Sequence, residues 1–421
     1  MWIFSLALKS IKNRKFITSL TILSIALSVG LFLSVEQIRR GARESFSNTI
    51  SKTDLIVGTK GGSIQLLLYS VFHMGSATNN LLYKSYEKIK ANPAIEWTIP
   101  YSLGDSHRGY RVVGTTEDFY KFYKFRQDKS VEFESGNSPS GIFDVAIGAE
   151  VAKNLNYQVG RKIILSHGIS EGASIYDHGD KPFTITGVLK RTGTPIDRAI
   201  YITLEGMEAI HIDWQNGVPP SADEMIHPDK IKKQNLPIGQ ITAFLVRCKS
   251  RIEVLKLQRE IDAFKGEPLM AIIPGVTLSE LWRGIGYAEE ALKAVSLLVI
   301  AVGFLGMLVS LYTTLNERRR EMAILRAIGA RPVDIIALLV FESGILSALG
   351  VLLGVIFVYA GLFIFQPILE NSFNLYLPIQ MLSNVELTYL LVIVGAGFLI
   401  GLIPALKAYR NALADGLSTK I

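Results

Sequence analysis

FITSLTILSIALSVGLFLSV, residues 16–35, runs for twenty residues without a charge. At 1.5 Å per helical residue such a run matches the ~30 Å hydrocarbon core of a bilayer. Working outward, ALKAVSLLVIAVGFLGMLVSLYTTL (291–315) repeats the pattern with a single lysine, Lys293, at its start. Two more apolar stretches follow at 335–365 and 385–406. Four spans are therefore expected, with about 250 residues of ordinary globular composition between the first and the second. The basic residues Lys9, Lys12, Arg14 and Lys15 before the first run also fit a cleaved leader. However, the run is longer than a signal core and no small-x-small site closes it, so an uncleaved anchor is the expectation.

Composition agrees with a membrane chain. The 421 residues are 49% hydrophobic and only 19% charged, with mean hydropathy +0.31. The formal charge of +7 is accounted for by three segments, 1–15, 316–334 and 407–421, which together hold twelve basic and four acidic residues. The loop at 366–384 has no Lys or Arg and one acid, Glu370. The positive-inside rule then places both termini and 316–334 in the cytoplasm. Basicity so distributed reports topology, and nucleic acid is not an expected partner. Cys248 is alone, which rules out an internal disulfide, so the large domain must fold on burial of its core.

Within that domain, β-branched or alternating runs at 53–58, 110–114, 143–148, 162–166, 183–189, 199–204 and 241–248 read as short strands. Helices are expected at 80–91 and 251–264, the latter presenting Ile252, Leu255 and Ile261 on its packed face. The fold class is thus four transmembrane helices with a large mixed α/β extracytoplasmic domain between helices 1 and 2. The stretch Gly284–Glu290 enters the second span with no breaker after Gly286, so a stalk is expected there.

The segment NERRREMAILRAIGARPVDI (316–335) carries the most information. Met322, Ile324, Leu325 and Ile328 are flanked by charges, and Gly329-Ala330-Arg331-Pro332 supplies a helix stop. By itself this is a short amphipathic helix at the membrane surface. Its pattern of Glu317-Arg318, Glu321, Leu325-Arg326 and Gly329-Ala330 resembles the coupling-helix signature of the MacB/FtsX-like permeases. The resemblance extends to 6–30, to FESGILSALGVLLG (341–354) with Glu342, and to PALKAYRNALADGL (404–417), whereas the central domain matches in position and size only.

The resemblance implies a layout of basic pre-helix 1–15, first span 16–38, MacB-like periplasmic core domain 39–286, stalk and second span 287–315, cytoplasmic coupling helix 316–334, third span 335–365, periplasmic loop 366–384, fourth span 385–406 and cytoplasmic tail 407–421. It implies a permease subunit in the bacterial inner membrane, coupled through Glu317, Arg318, Arg320, Glu321, Leu325, Arg326, Gly329 and Ala330 to a separate ABC ATPase dimer. ATP and Mg would sit on that ATPase, with no cofactor on this chain. A second permease protomer, membrane lipids and a periplasmic protein are the other expected partners. Export or extraction of a lipophilic, peptide-like or metal-associated substrate by mechanotransmission is the first functional expectation, and a regulatory actuator that transports nothing is the alternative. No G-x-x-x-x-G-K-[ST], HExxH or nucleophile-elbow pattern occurs in the 421 residues.

Two polar features remain. Glu342 falls inside the third span and needs a partner there. All six histidines lie between the first two spans; His167 and His178 share SHGISEGASIYDHGD (166–180) with Asp177 and Asp180, and His211 and Asp213 share IHIDW (210–214). Imidazoles with carboxylates suit zinc, but the spacing is not diagnostic, so solvated or ordinary hydrogen-bonding roles are expected ahead of a metal site at His167, His178 and His211. In RTGTPIDR (191–198), a salt-bridged turn through Arg191, Asp197 and Arg198 is expected.

Overall fold

A computed structural model of the chain describes residues 2–168, 176–214, 226–232, 236–373 and 379–415, with backbone only at 2–5, 8, 42, 45, 47, 176, 315–320, 367, 369–373 and 408–415. The chain opens with α1 (Trp2–Asn13) and α2 (Lys15–Thr49). A mixed stretch follows: β1 (Leu55–Thr59), α3 (Ser63–Val71), β2 (Leu81–Leu82), α4 (Tyr83–Lys90), β3 (Ile95–His107), β4 (Tyr110–Thr115), α5 (Glu117–Phe122), β5 (Lys124–Phe125), β6 (Lys129–Ser130), β7 (Phe133–Gly136) and β8 (Asp144–Ile147). It continues through α6 (Ala149–Leu155), β9 (Lys162–Ile163), β10 (Ser166–His167), β11 (Tyr176–Asp177), β12 (Phe183–Leu189), β13 (Ala199–Thr203), α7 (Leu204–Ile210), β14 (Gln240–Ile241), β15 (Ala243–Cys248), α8 (Arg251–Asp262) and β16 (Leu269–Ile272). Three long helices close it: α9 (Pro274–Ala327), α10 (Pro332–Phe373) and α11 (Asn384–Asp415). Two compact units result, one built from Arg43–Gly284, the other from Met1–Ala42, Ile285–Ser372 and the C-terminal segment.

In the α/β unit the main sheet runs β16-β1-β15-β3-β4-β13-β8-β12-β7, antiparallel except for the β4/β13 and β8/β12 pairs. Successive residues alternate faces, so Ile56 joins one core layer while Leu55 and Val57 join another. Likewise Val113, Ala146 and Tyr201 face the first layer, and Val112, Val145, Ile147, Ile200 and Ile202 face a third. Because both faces are covered, these strands read as nearly continuous apolar runs.

Three local readings change. Residues 162–166 are not one strand: β9 pairs with β12, whereas β10 leaves that strand and pairs with β3. The buried face of α8 is Val254, Leu257 and Ile261, while Ile252 and Leu255 are 88% and 58% exposed. Positions 254, 257 and 261 follow the i, i+3, i+7 stripe, whereas 255 is turned away from it and 252 falls on the opposite face of the helix. The Asp197 turn is held differently as well. The carboxylate accepts from the Thr192 and Gly193 backbone N–H groups at 2.8 and 2.7 Å, and Arg198 reaches Glu150 at 3.4 Å instead.

Among the described residues, four helices are long and apolar enough to cross a membrane: Lys15–Gly41, Pro274–Thr314, Pro332–Gln366 and Asn384–Lys407. Small residues set how closely they approach. A Cβ on Gly354 would meet the Ala26 carbonyl oxygen and Val29, and one on Gly350 would meet Ile25, so α10 lies tight against α2. Gly397 and Gly401 face Ser347 and Ser343, which brings α11 onto α10, and Gly303 faces Ser28. Thr21 bonds Ser310 at 2.9 Å, and Ser28 donates to the Val299 carbonyl at 3.1 Å, tying α2 to α9. Gly350/Gly354 and Gly397/Gly401, each at small-xxx-small spacing, are thus used in packing within one chain. Glu342 is only 3% exposed, in a buried run with Ser343 and Leu346.

Candidate functional site

The segment expected to couple is not a separate helix. It forms the last turns of α9, which runs unbroken from Pro274 to Ala327, because no Gly or Pro interrupts the run of helix formers from Leu315 to Ala327. The expected stalk residues Gly284–Glu290 belong to the same helix. Its end is a built cap. Gly329 has φ +100°, the Gly329 N–H donates to the Arg326 carbonyl at 3.0 Å, and the Ala330 N–H donates to the Leu325 carbonyl at 3.0 Å. This is the Schellman pairing, which needs a residue free to take positive φ. Pro332 starts α10, and Asp334 accepts from the Arg331 N–H at 2.7 Å.

Glu321 and Leu325 line a groove of about 270 Å³ with Lys9 and Arg14 on one side and Ile335 and Leu338 on the other. Arg14 reaches Glu321 at 3.6 Å and the Thr314 carbonyl at 3.4 Å, so the basic N-terminal segment is pinned to the end of α9. Met322 packs with Leu339 and Ala405. Ile324, Ile328 and Val333 stay 55%, 77% and 70% exposed, and Arg326 is exposed beside them. The Glu317, Arg318 and Arg320 side chains lie outside the described residues.

A second cluster lies in the α/β unit. Strand β10 pairs with β3 so that His167 stands opposite Asp105, and β11 pairs with β10 to deliver His178 just beyond its end. His211 caps the C-terminus of α7. One ligand atom from each of Asp105, His167, His178 and His211 lies within 4.8 Å of all the others. Burial depresses the His178 imidazole to about 4, and the Asp105 carboxylate raises that of His167. Trp214 borders the group, its ring 4.8 Å from His167 and 5.2 Å from His211 between centroids.

The carboxylates that the sequence offered serve other partners. Asp177 accepts from Ser166 Oγ at 2.6 Å, while Asp213 and Asp180 both bind Lys181 Nζ at 2.7 Å. Asp105, which the sequence reading missed, is the cluster's acid. It lies 62 residues from His167 in a stretch, YSLGDSH, with no metal-ligand spacing.

Comparison with known proteins bears on the whole chain. Residues 18–264 match the MacB-like periplasmic core domain, and residues 293–413 match the FtsX-like permease C-terminal model. The chain is 24% identical over 358 residues to a macrolide export ATP-binding/permease protein MacB of Nitrobacter winogradskyi, covering 80% of this chain and 49% of that protein. It is 23% identical over 373 residues to an uncharacterized ABC transporter permease of Methanocaldococcus jannaschii, covering 84% and 82%. The chain thus spans about half the length of the Nitrobacter relative. Among solved structures, the periplasmic region of MacB from Actinobacillus actinomycetemcomitans aligns with 55% of this chain and 94% of its own, at 10% identity and TM-score 0.34. With the core-domain model covering more than half of its length and the permease model covering the helices after it, the chain belongs to the MacB/FtsX-like family of ABC transporter permeases.

Proposed function

We propose that this chain is the energy-transmitting permease of an ATP-driven transporter in a bacterial inner membrane, working on its substrate in the periplasm. The observation that carries the reading is α9. A helix of 54 residues is about 80 Å long, far more than the ~30 Å needed to cross the bilayer. It begins two residues after β16 of the core domain and ends at the capped turn formed by Gly329. α9 is thus one element continuous in sequence from the end of the core domain to the coupling segment, the element through which mechanotransmission would act.

The ATPase would be a separate dimeric chain carrying ATP and Mg, docked at the cytoplasmic end of α9. Exposed Ile324 and Ile328 supply an apolar contact, and Glu321, Arg326 and the 317–320 charges supply its polar rim. Leu325 and Glu321, on the groove shared with Lys9 and Arg14, relay the movement to the N-terminal segment. Two such permeases pair in the working assembly. Cargo is lipophilic, peptide-like or metal-associated, in line with relatives named for macrolide export.

The test is ATP turnover by the permease co-expressed with its ATPase. Ile328→Asp or Glu321→Arg should abolish co-purification and stimulated turnover while leaving the melting temperature of the isolated permease within a few degrees. Unchanged complex formation in both variants would refute the docking assignment.

A further inference from the structure

We propose that Asp105, His167, His178 and His211 form a binding site for a divalent transition-metal ion of the zinc class. The inference concerns the α/β unit alone and stands independently of how the helical unit meets an ATPase.

The geometry is close to that of a coordination shell. His167 Nδ1 lies 3.1 Å from Asp105 Oδ1, His211 Nε2 lies 3.3 Å from His167 Nδ1, and His211 Nε2 lies 3.7 Å from Asp105 Oδ1. Zinc bonds of about 2.0–2.1 Å at tetrahedral angles place neighbouring ligand atoms roughly 3.3 Å apart. The triangle therefore has the edges of one tetrahedral face, and His178 offers a fourth ligand atom within 4.8 Å of the other three. Three imidazoles and one carboxylate suit zinc or a neighbouring divalent ion rather than calcium or magnesium, which prefer shells of oxygen.

Orientation is set by the surroundings. His211 Nδ1 lies 3.2 Å from the Met207 carbonyl, which can only accept, so Nδ1 carries the proton and Nε2 turns its lone pair to the cluster. Asp105 is fully buried, and its Oδ2 has no hydrogen-bond partner among the described residues. A buried carboxylate oxygen left so is costly unless something cationic meets it. The two segments bearing His178 and His211 are fastened together by buried Lys181, whose Nζ is shared by Asp213 and Asp180. That lysine is neutralised by its own acids and does not set its charge against an incoming ion. The His167 and His211 side chains remain 38% and 28% exposed, which gives an ion a route from solvent.

Hydrogen bonding explains the Asp105–His167 contact without metal. A proton on His167 Nδ1 shared with His211 Nε2 accounts for their 3.3 Å contact in the same way, but hydrogen bonding leaves the buried Asp105 Oδ2 unmet among the described residues. Four protein ligands would close the shell, as in structural, sensing or cargo sites, leaving no open position for hydrolytic chemistry.

The full-length protein in detergent, stripped with a chelator, is titrated with Zn²⁺ against a chromogenic zinc indicator and with Co²⁺ by visible absorption. One ion per chain, intense cobalt bands of a tetrahedral site and a zinc-dependent rise in Tm are expected. Asp105→Asn and His167→Ala should each weaken zinc binding roughly tenfold or more and remove the rise in Tm, while His227→Ala, outside the cluster, leaves both unchanged. Because His167 is partly exposed, its variant keeps the test valid if the Asp105 variant does not fold. Absence of stoichiometric binding by folded wild-type protein, or equal binding by wild type and the His167 variant, overturns the site. Neither result depends on an ATPase, so failure here is distinct from failure of the permease reading.

Discussion

Arg40 Nη1, on α2, donates to Glu386 Oε2, on α11, at 2.7 Å, and the Glu386 side chain is sealed from solvent. The same carboxylate accepts from the Ser383 N–H at 2.6 Å, and the Glu386 N–H donates to Ser383 Oγ at 3.2 Å, which makes a capping box at the start of the last membrane helix. One glutamate thus sets both where α11 begins and how it meets α2. Removing Arg40 strands a buried charge, so Arg40→Ala should cost about 3 kcal/mol and lower the Tm of the solubilised protein by several degrees. A Tm unchanged from wild type would show that the pair adds nothing.

Close approach of α2 and α10 depends on Gly354, where a Cβ would stand 2.8 Å from the Ala26 carbonyl oxygen. Backbone cannot yield as a side-chain tip does. Gly354→Leu should destabilise the helical unit by about 1–3 kcal/mol through overpacking. Gly361→Leu on the same helix, where nothing lies within 4 Å, serves as the tolerated control. Thermal unfolding of both variants in one detergent makes the comparison.

At the end of α9, Gly329→Val forces a β-branched residue to φ +100°. The cap should fray at a cost of about 1–2 kcal/mol or more. Faster amide exchange at Gly329 and Ala330 is expected, with ATP turnover in the assembled transporter falling more than stability does.

The pH dependence has a readable contribution in the α/β unit. Burial, with the nearby Arg111 guanidinium second, depresses the His73 imidazole from 6.5 to about 4. The folded state then binds this proton less readily than the unfolded state. The stabilising contribution is complete above pH 6.5, declines as pH falls and is gone below about pH 4; its full size is on the order of 3 kcal/mol. His73 sits at φ +55°, which asparagine tolerates, so His73→Asn is the matched variant. Melting curves between pH 7.5 and 4.5, without added metal, should show a shallower decline for the variant than for wild type.

What the sequence by itself determined was local. Uncharged twenty-residue runs mark the spans because bilayer thickness and helical rise fix their length. Runs such as FTITGVL and AIYITL become β12 and β13 because β-branched residues suit a sheet covered on both faces. The stop at Gly329 and Pro332 was readable for a similar reason: backbone freedom and its loss belong to single residues. Tertiary structure decided the rest. The longest strand, β3, carries Pro100 and Gly104, and local propensity argues against it; pairing with β15, β4 and β10 overrides that preference. That pairing alone places Asp105 beside His167, and the end of α7 adds His211 from 106 residues away in sequence. Hydrophobic periodicity records which face of an element is buried. It holds no information about which distant side chains converge, because the register between strands is set by the packing of the whole sheet.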